Sequence, residues 1–223
     1  MNEAIGQILP LALVVALSPV PIIAIVLMLA TPRARANGVA FLVGWLAGLT
    51  IVGVIVLLIS GAIDPSDDGG PATWVSILVL VLGLALVGLA FKQWRGRPRG
   101  DEEAPLPKWM TTIDSFKPAK ALGFGVLLSS VNPKNLMLTV AASAAIAGTG
   151  IDPAQETIAL AIFILIGTLG VGAPVVMYLV LGERSRKLLD GVKSWMAANN
   201  TVIMAVITLV IGVKLVGDGI AGL

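Results

Sequence analysis

Six apolar runs divide this chain, at about 4–31, 37–63, 72–92, 121–148, 155–181 and 200–217. A helix crosses the hydrocarbon of a bilayer with roughly 20 apolar residues. No soluble core hides six such stretches. Only 13% of the 223 residues are charged and 57% are hydrophobic, whereas a soluble domain carries about 25% charge. The expected fold is therefore an all-α polytopic membrane protein with six transmembrane helices. The first run is not an ordinary signal peptide, because Met1-Asn2-Glu3 lacks a basic start and the run is long and interrupted by proline.

The connections alternate in charge. The first carries Arg33 and Arg35 and no acid, and the second carries Asp64, Asp67 and Asp68 and no base. The third is mixed but rich in Arg and Lys, the fourth has only Asp152, and the fifth has Arg184, Arg186, Lys187 and Lys193. Basic loops stay on the cytoplasmic side. The expected location is the cytoplasmic membrane with both termini outside. Two connections have amphipathic spacing. Trp109, Met110, Ile113 and Phe116 share one face of 107–117, and Leu188, Leu189, Val192, Trp195 and Met196 share one face of 183–197. Basic amphipathic helices of this kind lie in the headgroup zone.

Two of the runs contain a proline motif. The first reads Ser18-Pro19-Val20-Pro21 and the fourth Asn132-Pro133-Lys134-Asn135. Pro19 and Pro133 each lie twelve residues from the expected cytoplasmic end of their run, roughly 18 Å deep and close to the midplane. The third and sixth runs also echo each other, with Leu82-Gly83-Leu84-Ala85-Leu86-Val87-Gly88 beside Ile211-Gly212-Val213-Lys214-Leu215-Val216-Gly217. These matches predict two inverted three-helix repeats, 1–94 and 118–223, joined by a cytoplasmic linker, 95–117, that carries an amphipathic interfacial helix. Helices 1 and 4 are expected to break near the midplane at the proline motifs. Ser and Asn are favoured caps and Pro is favoured at the first helical position, so each motif reads as the start of a new half-helix. Such starts expose N–H groups and the positive end of a dipole, and lipid cannot satisfy them. The alternative is a pair of proline kinks in packed helices.

Ser18, Pro19, Pro21, Asn132, Pro133, Lys134 and Asn135 are the candidate substrate-binding residues. A midplane lysine costs ~2.5–3.5 kcal/mol on insertion scales, and no acid in its own run neutralises Lys134. It is suited to bind an anionic or carbonyl-bearing group, or to carry a proton. Lys214 lies near the outer end of its helix with Asp218 four residues on, which an i,i+4 pair explains. Gly44 and Gly48 form a small face that serves close packing within the chain or a homodimer seam.

The absence of Cys and His excludes disulfides, thiol or Ser-His catalysis and His-based zinc sites. No Walker motif is present. Neither an enzyme, a cofactor, a metal nor a nucleic-acid partner is expected. With six spans, a proline pair in the first, an amphipathic lead-in to the fourth and Asn-Pro-Lys within it, the chain resembles the lysine-exporter superfamily. It is most similar to the GAP or Sap branch, the peptidoglycolipid-addressing proteins of actinobacteria. The commoner Pro-Gly-Pro is here Pro-Val-Pro, Val20 replacing Gly. The resemblance implies export across the cytoplasmic membrane, of a cell-envelope glycolipid in this branch and of amino acids or cations in others. Alternating access without an ATPase follows for an exporter of this kind. The rivals are a small-solute exporter and a non-transporting accessory protein that works with envelope-lipid synthesis or export proteins. Membrane lipids are partners on every reading.

Overall fold

The computed structural model describes residues 1–61, 73–96, 112, 113 and 115–223, and within these the chain is helix and turn with no strand. Helices are how a chain in lipid satisfies its own backbone. In order they are α1 (Asn2–Ala16), α2 (Pro19–Leu29), α3 (Ala34–Gly61), α4 (Thr73–Arg95), α5 (Pro118–Ser130), α6 (Pro133–Gly148), α7 (Pro153–Leu181) and α8 (Arg186–Ala221), with a 3-10 turn over Gly182–Ser185. The acidic connection 64–71 and most of the linker 95–117, with Trp109 and Met110, lie outside the described residues.

Local chemistry sets the boundaries. Proline occupies the first turn of α2, α5, α6 and α7, where its missing N–H is no loss. Asp152 caps α7 by accepting from the N–H groups of Ala154 and Gln155, both at 3.0 Å. Gly182, at φ 55°, turns the chain out of α7. The sequence predicted a break between an interfacial segment, 183–197, and a span, 200–217. Instead α8 is one helix of 36 residues. Neither Pro nor Gly falls between Lys193 and Ile211, and the polar Asn199 is absorbed by donating to the Trp195 carbonyl at 2.8 Å.

By length and apolarity alone, Ala34–Ser60, Thr73–Arg95 and the run Pro153–Ala221 are able to cross a membrane. The pair α1–α2, bent by 47° at its break, makes a fourth.

Packing gathers both termini at one face. Ser76, at the start of α4, donates to the Gly222 carbonyl at 2.9 Å, while Asn37, at the start of α3, donates to the Phe116 carbonyl at 3.0 Å near the opposite face. Helices α4 and α8 run antiparallel and cross at two glycines. A Cβ on Gly83 would lie 2.9 Å from the Gly212 carbonyl oxygen, and one on Gly212 would lie 3.1 Å from that of Gly83. Helices α3 and α5 meet as closely, Gly44 against the Leu122 carbonyl and Gly125 against that of Phe41. The small face of Gly44 and Gly48 is thus used inside the chain. Around it Phe41, Trp45, Phe116 and Phe124 form an aromatic group, with Phe116 edge-on to Phe124 at 5.6 Å.

Candidate functional site

An X-Pro step inside a buried helix leaves carbonyls without their usual N–H partners. At the first break, Ser18 N–H turns back to the Val15 carbonyl at 3.2 Å, so the Val14 carbonyl loses its i+4 donor. At the second, Asn132 N–H turns back to Leu127 at 3.2 Å, and Leu128 is deprived in the same way. Each orphan lies four residues before its cap.

Both are captured by the start of α6. The Lys134 amine donates to the Val14 carbonyl at 2.9 Å and makes a short hydrogen bond to the Ser18 hydroxyl. The Asn135 amide donates to the Leu128 carbonyl at 2.9 Å. Its side-chain oxygen lies 3.2 Å from the Ser18 hydroxyl, which shares its one proton between that oxygen and the Val14 carbonyl at 3.3 Å. Lys134 is 3% exposed, Ser18 2% and Asn135 0%. The structure therefore brings Ser18, Lys134 and Asn135 into one sealed polar cluster that joins the two breaks.

The remaining candidates frame it. Asn132 is a working cap, its side chain accepting from Lys134 N–H at 3.1 Å. Ser18 occupies the cap position of α2, but its side chain makes no cap bond. Of the first three residues of α2, Pro19 and Pro21 have no N–H, so little remains there to cap and the hydroxyl is released to face α6. Pro19 and Pro21 are buried, while Pro133 is exposed. The sequence predicted an open ring of helix-start N–H groups. Proline removes two of these donors at the first break, and Asn132 satisfies one at the second.

Chemically, the cluster holds an ammonium among neutral acceptors. The ion pairs among the described residues are Arg186–Glu183, Lys193–Asp190 and Lys214–Asp218, and Lys134 enters none of them. Such a group receives an anion or a hydrogen-bond acceptor readily, because the charge is desolvated and uncompensated. Among the described residues no His, Cys, Asp and Glu come together in a metal-binding group.

Sequence reasoning passed over two neighbours of this cluster. The first is a buried polar stripe on α6, Asn135, Thr139 and Ser143, all 0% exposed at four-residue spacing. Thr139 donates to the Asn135 carbonyl at 2.8 Å, whereas the Ser143 hydroxyl has no partner among the described residues. The spacing was visible, but Ser and Thr are ordinary in membrane helices. The second is a cavity of about 260 Å³ at the terminal face, between α1, α4, α6 and α8. Its rim carries Glu3, Gln7, Ser76, Lys214 and Asp218, and its lining on α1 ends at Leu11. Leu11 is one helical turn from Val14, whose carbonyl Lys134 holds. Lys134 does not line this cavity. The polar stripe climbs α6 toward the Ala145 and Gly148 wall.

Compared with known families, residues 8–221 match the model described as SfLAP: Sap, sulfolipid-1-addressing protein. No curated protein and no solved structure matches the chain.

Proposed function

Because the chain belongs to the sulfolipid-1-addressing protein family, we propose that it exports an anionic cell-envelope amphiphile across the cytoplasmic membrane. The family's description supplies the lipid. The observation that carries a transport reading is the junction of two helix breaks through one buried lysine without a counter-anion. Secondary transporters bind substrate at paired half-helices related by inverted repeats.

Packing supports such repeats. The Gly83–Gly212 crossing is reciprocal: a Cβ on Gly83 would lie 2.7 Å from Val216 N, and one on Gly212 would lie 2.9 Å from Val87 N. Gly48 of α3 meets Ser129, three residues before the Asn132 cap, and Gly167 of α7 meets Val15, three before Ser18. On this reading α1–α2 and α5–α6 are each one broken span and the chain has six. The fold is then that of the lysine-exporter superfamily, and the basic loops put both termini outside.

Lys134 acts here as a latch. In the sealed state its ammonium spans from α6 to the orphan carbonyl of α1, one helical turn beyond the Leu11 end of the terminal-face cavity. An anionic headgroup offers the ammonium a better partner than two neutral oxygens do. Its binding therefore favours the state in which the breaks separate. A ligand shifts such an equilibrium only by its differential affinity for the two states. A cation gains nothing from the ammonium, which counts against that form of the small-solute alternative, whereas the carboxylate of an amino acid engages it as a headgroup does. One observation favours a second reading. Lys134 is sealed rather than facing a cavity, as a non-transporting accessory protein would also have it.

Export separates the two. Lys134→Met keeps the bulk and removes the charge, so membrane abundance should hold while export of the envelope lipid falls about tenfold or more, a loss of about 1.4 kcal/mol of differential binding or greater. The assay uses a strain lacking the native protein, with protein levels measured alongside. Normal export at normal abundance would overturn the assignment of Lys134.

A further inference from the structure

On the opposite side of the Gly83–Gly212 crossing from the terminal-face cavity, α4 and α8 leave an apolar groove of about 310 Å³. Its floor is made by two small buried residues, Ala90 and Ala205, and its walls by Val87, Phe91 and Trp94 of α4 with Val206 and Leu209 of α8. Phe91, Val206 and Leu209 are exposed, so the groove opens sideways into the lipid. From Val87 to Trp94 it runs about 10 Å along the helix, a third of the ~30 Å hydrocarbon. Its end is basic. Lys92 and Arg95 occupy the last turn of α4, and the Arg95 guanidinium stands 5.6 Å from the Phe91 ring centre. Neither takes part in the ion pairs formed among the described residues.

An apolar slot of one chain's width that opens laterally and ends beside the Arg95 guanidinium is complementary to one kind of molecule. We infer that the groove holds one acyl chain of an anionic lipid, drawn from the leaflet on the side away from the termini, with its headgroup against Arg95. This deepens the lipid reading given above and rests on it, since a lateral opening is what an amphiphile needs and a small solute does not. The guanidinium selects the headgroup, because a basic residue near an anionic surface adds a favourable interaction. The aromatic walls hold the chain near the headgroup level, where Trp and its neighbours are at home.

The test uses the purified full chain in detergent, given equimolar phosphatidylglycerol and phosphatidylcholine with identical acyl chains, and counts retained lipid by native mass spectrometry. The expected result is one phosphatidylglycerol retained in preference to phosphatidylcholine by about tenfold. Val206→Trp, at an exposed wall position that leaves the core untouched, should reduce that occupancy about fivefold or more by filling the slot. Arg95→Gln should leave occupancy but abolish the headgroup preference. Leu165→Trp, at an exposed position of α7 that does not line the groove, should bind as the unaltered chain does. Equal retention of the two lipids by the unaltered chain, or unchanged occupancy in Val206→Trp, would overturn the groove assignment and leave the Lys134 reading standing. Normal export by Lys134→Met with selective lipid retention intact would do the reverse.

Discussion

After the cap of the first break come Pro19, Val20 and Pro21, and after the cap of the second come Pro133, Lys134 and Asn135. Both motifs stop a helix and orphan the carbonyl four residues before the cap. At the first break the local repair is partial: the Ser18 hydroxyl shares its single proton between the Val14 carbonyl and Asn135, and the side chains of Pro19, Val20 and Pro21 have no donor to offer. At the second, Asn135 repairs its own break, and Lys134 repairs the other one. The two breaks thus pose the same backbone problem. Placing the Lys134 and Asn135 donors at the start of α6 makes the solution a bridge between the two breaks. The symmetric part of the molecule is the Gly83–Gly212 crossing, where each helix presents the same small face to the other. The asymmetric part is where charge sits.

The comparison breaks most visibly if charge is added to the apolar side. Val20→Lys puts a second ammonium one residue past Pro19, the position that Lys134 holds after Pro133, with no acid in the run, at ~2.5–3.5 kcal/mol or more. Folded protein in the membrane should fall to a small fraction of normal by immunoblot. Combining it with Lys134→Val should restore much of that loss, since the charge is then moved to the mirror position rather than doubled. Tolerance of Val20→Lys alone would mean that the two breaks do not share one dry cluster. Next in size is Asn135→Ala, which orphans the Leu128 carbonyl at about 1–3 kcal/mol, read as a lowered midpoint of thermal unfolding in detergent.

The caps sharpen the contrast further. Ser18→Ala removes no cap but deletes the buried hydroxyl shared by Lys134, Asn135 and the Val14 carbonyl, so it should lower stability by about 1–3 kcal/mol and lower export per folded molecule as well. Asn132→Ala removes a true cap and should lower stability by about 0.5–2 kcal/mol with little effect on export per folded molecule. The smallest effect belongs to Lys214→Met. Its pair with Asp218 is a partly exposed i,i+4 contact of about 0.3–0.5 kcal/mol, and neither stability nor export should move measurably.

Much of this organisation was legible in the sequence, for reasons of cost. Proline inside an apolar run and lysine at its middle are both expensive, so Pro19, Pro133 and Lys134 stand out without a structure. The helical class follows from the apolar runs, and the resemblance to the Sap branch rests on the two proline motifs within them. Less legible were the groups that carry no side-chain signature. The Val14 and Leu128 carbonyls are backbone, and their need for a donor appears only when the N–H count is followed through each break. Ser18 read as a cap because Ser usually is one, although Pro19 and Pro21 had already removed most of what a cap would bind. In the sequence 183–197 and 200–217 read as separate segments, one amphipathic and one apolar, and the absence of Pro and Gly between Lys193 and Ile211 was the guide to their continuity as α8. The terminal-face cavity and the α4–α8 groove arise from how helices diverge on either side of a close crossing, which no single segment records.

The central claim is that Lys134 holds the two breaks together and that transport requires them to part. The chain has no native cysteine, so spin labels at Leu17→Cys and Val131→Cys report on the breaks alone. Both side chains are exposed and each precedes its cap by one residue. The distance between them, measured by pulsed electron resonance in lipid nanodiscs, should be one narrow population in the otherwise unaltered chain. Adding Lys134→Met should produce a second, distinct population, because the latch is gone. An identical single population in both backgrounds would show that the lysine holds nothing shut, and the latch account would be wrong.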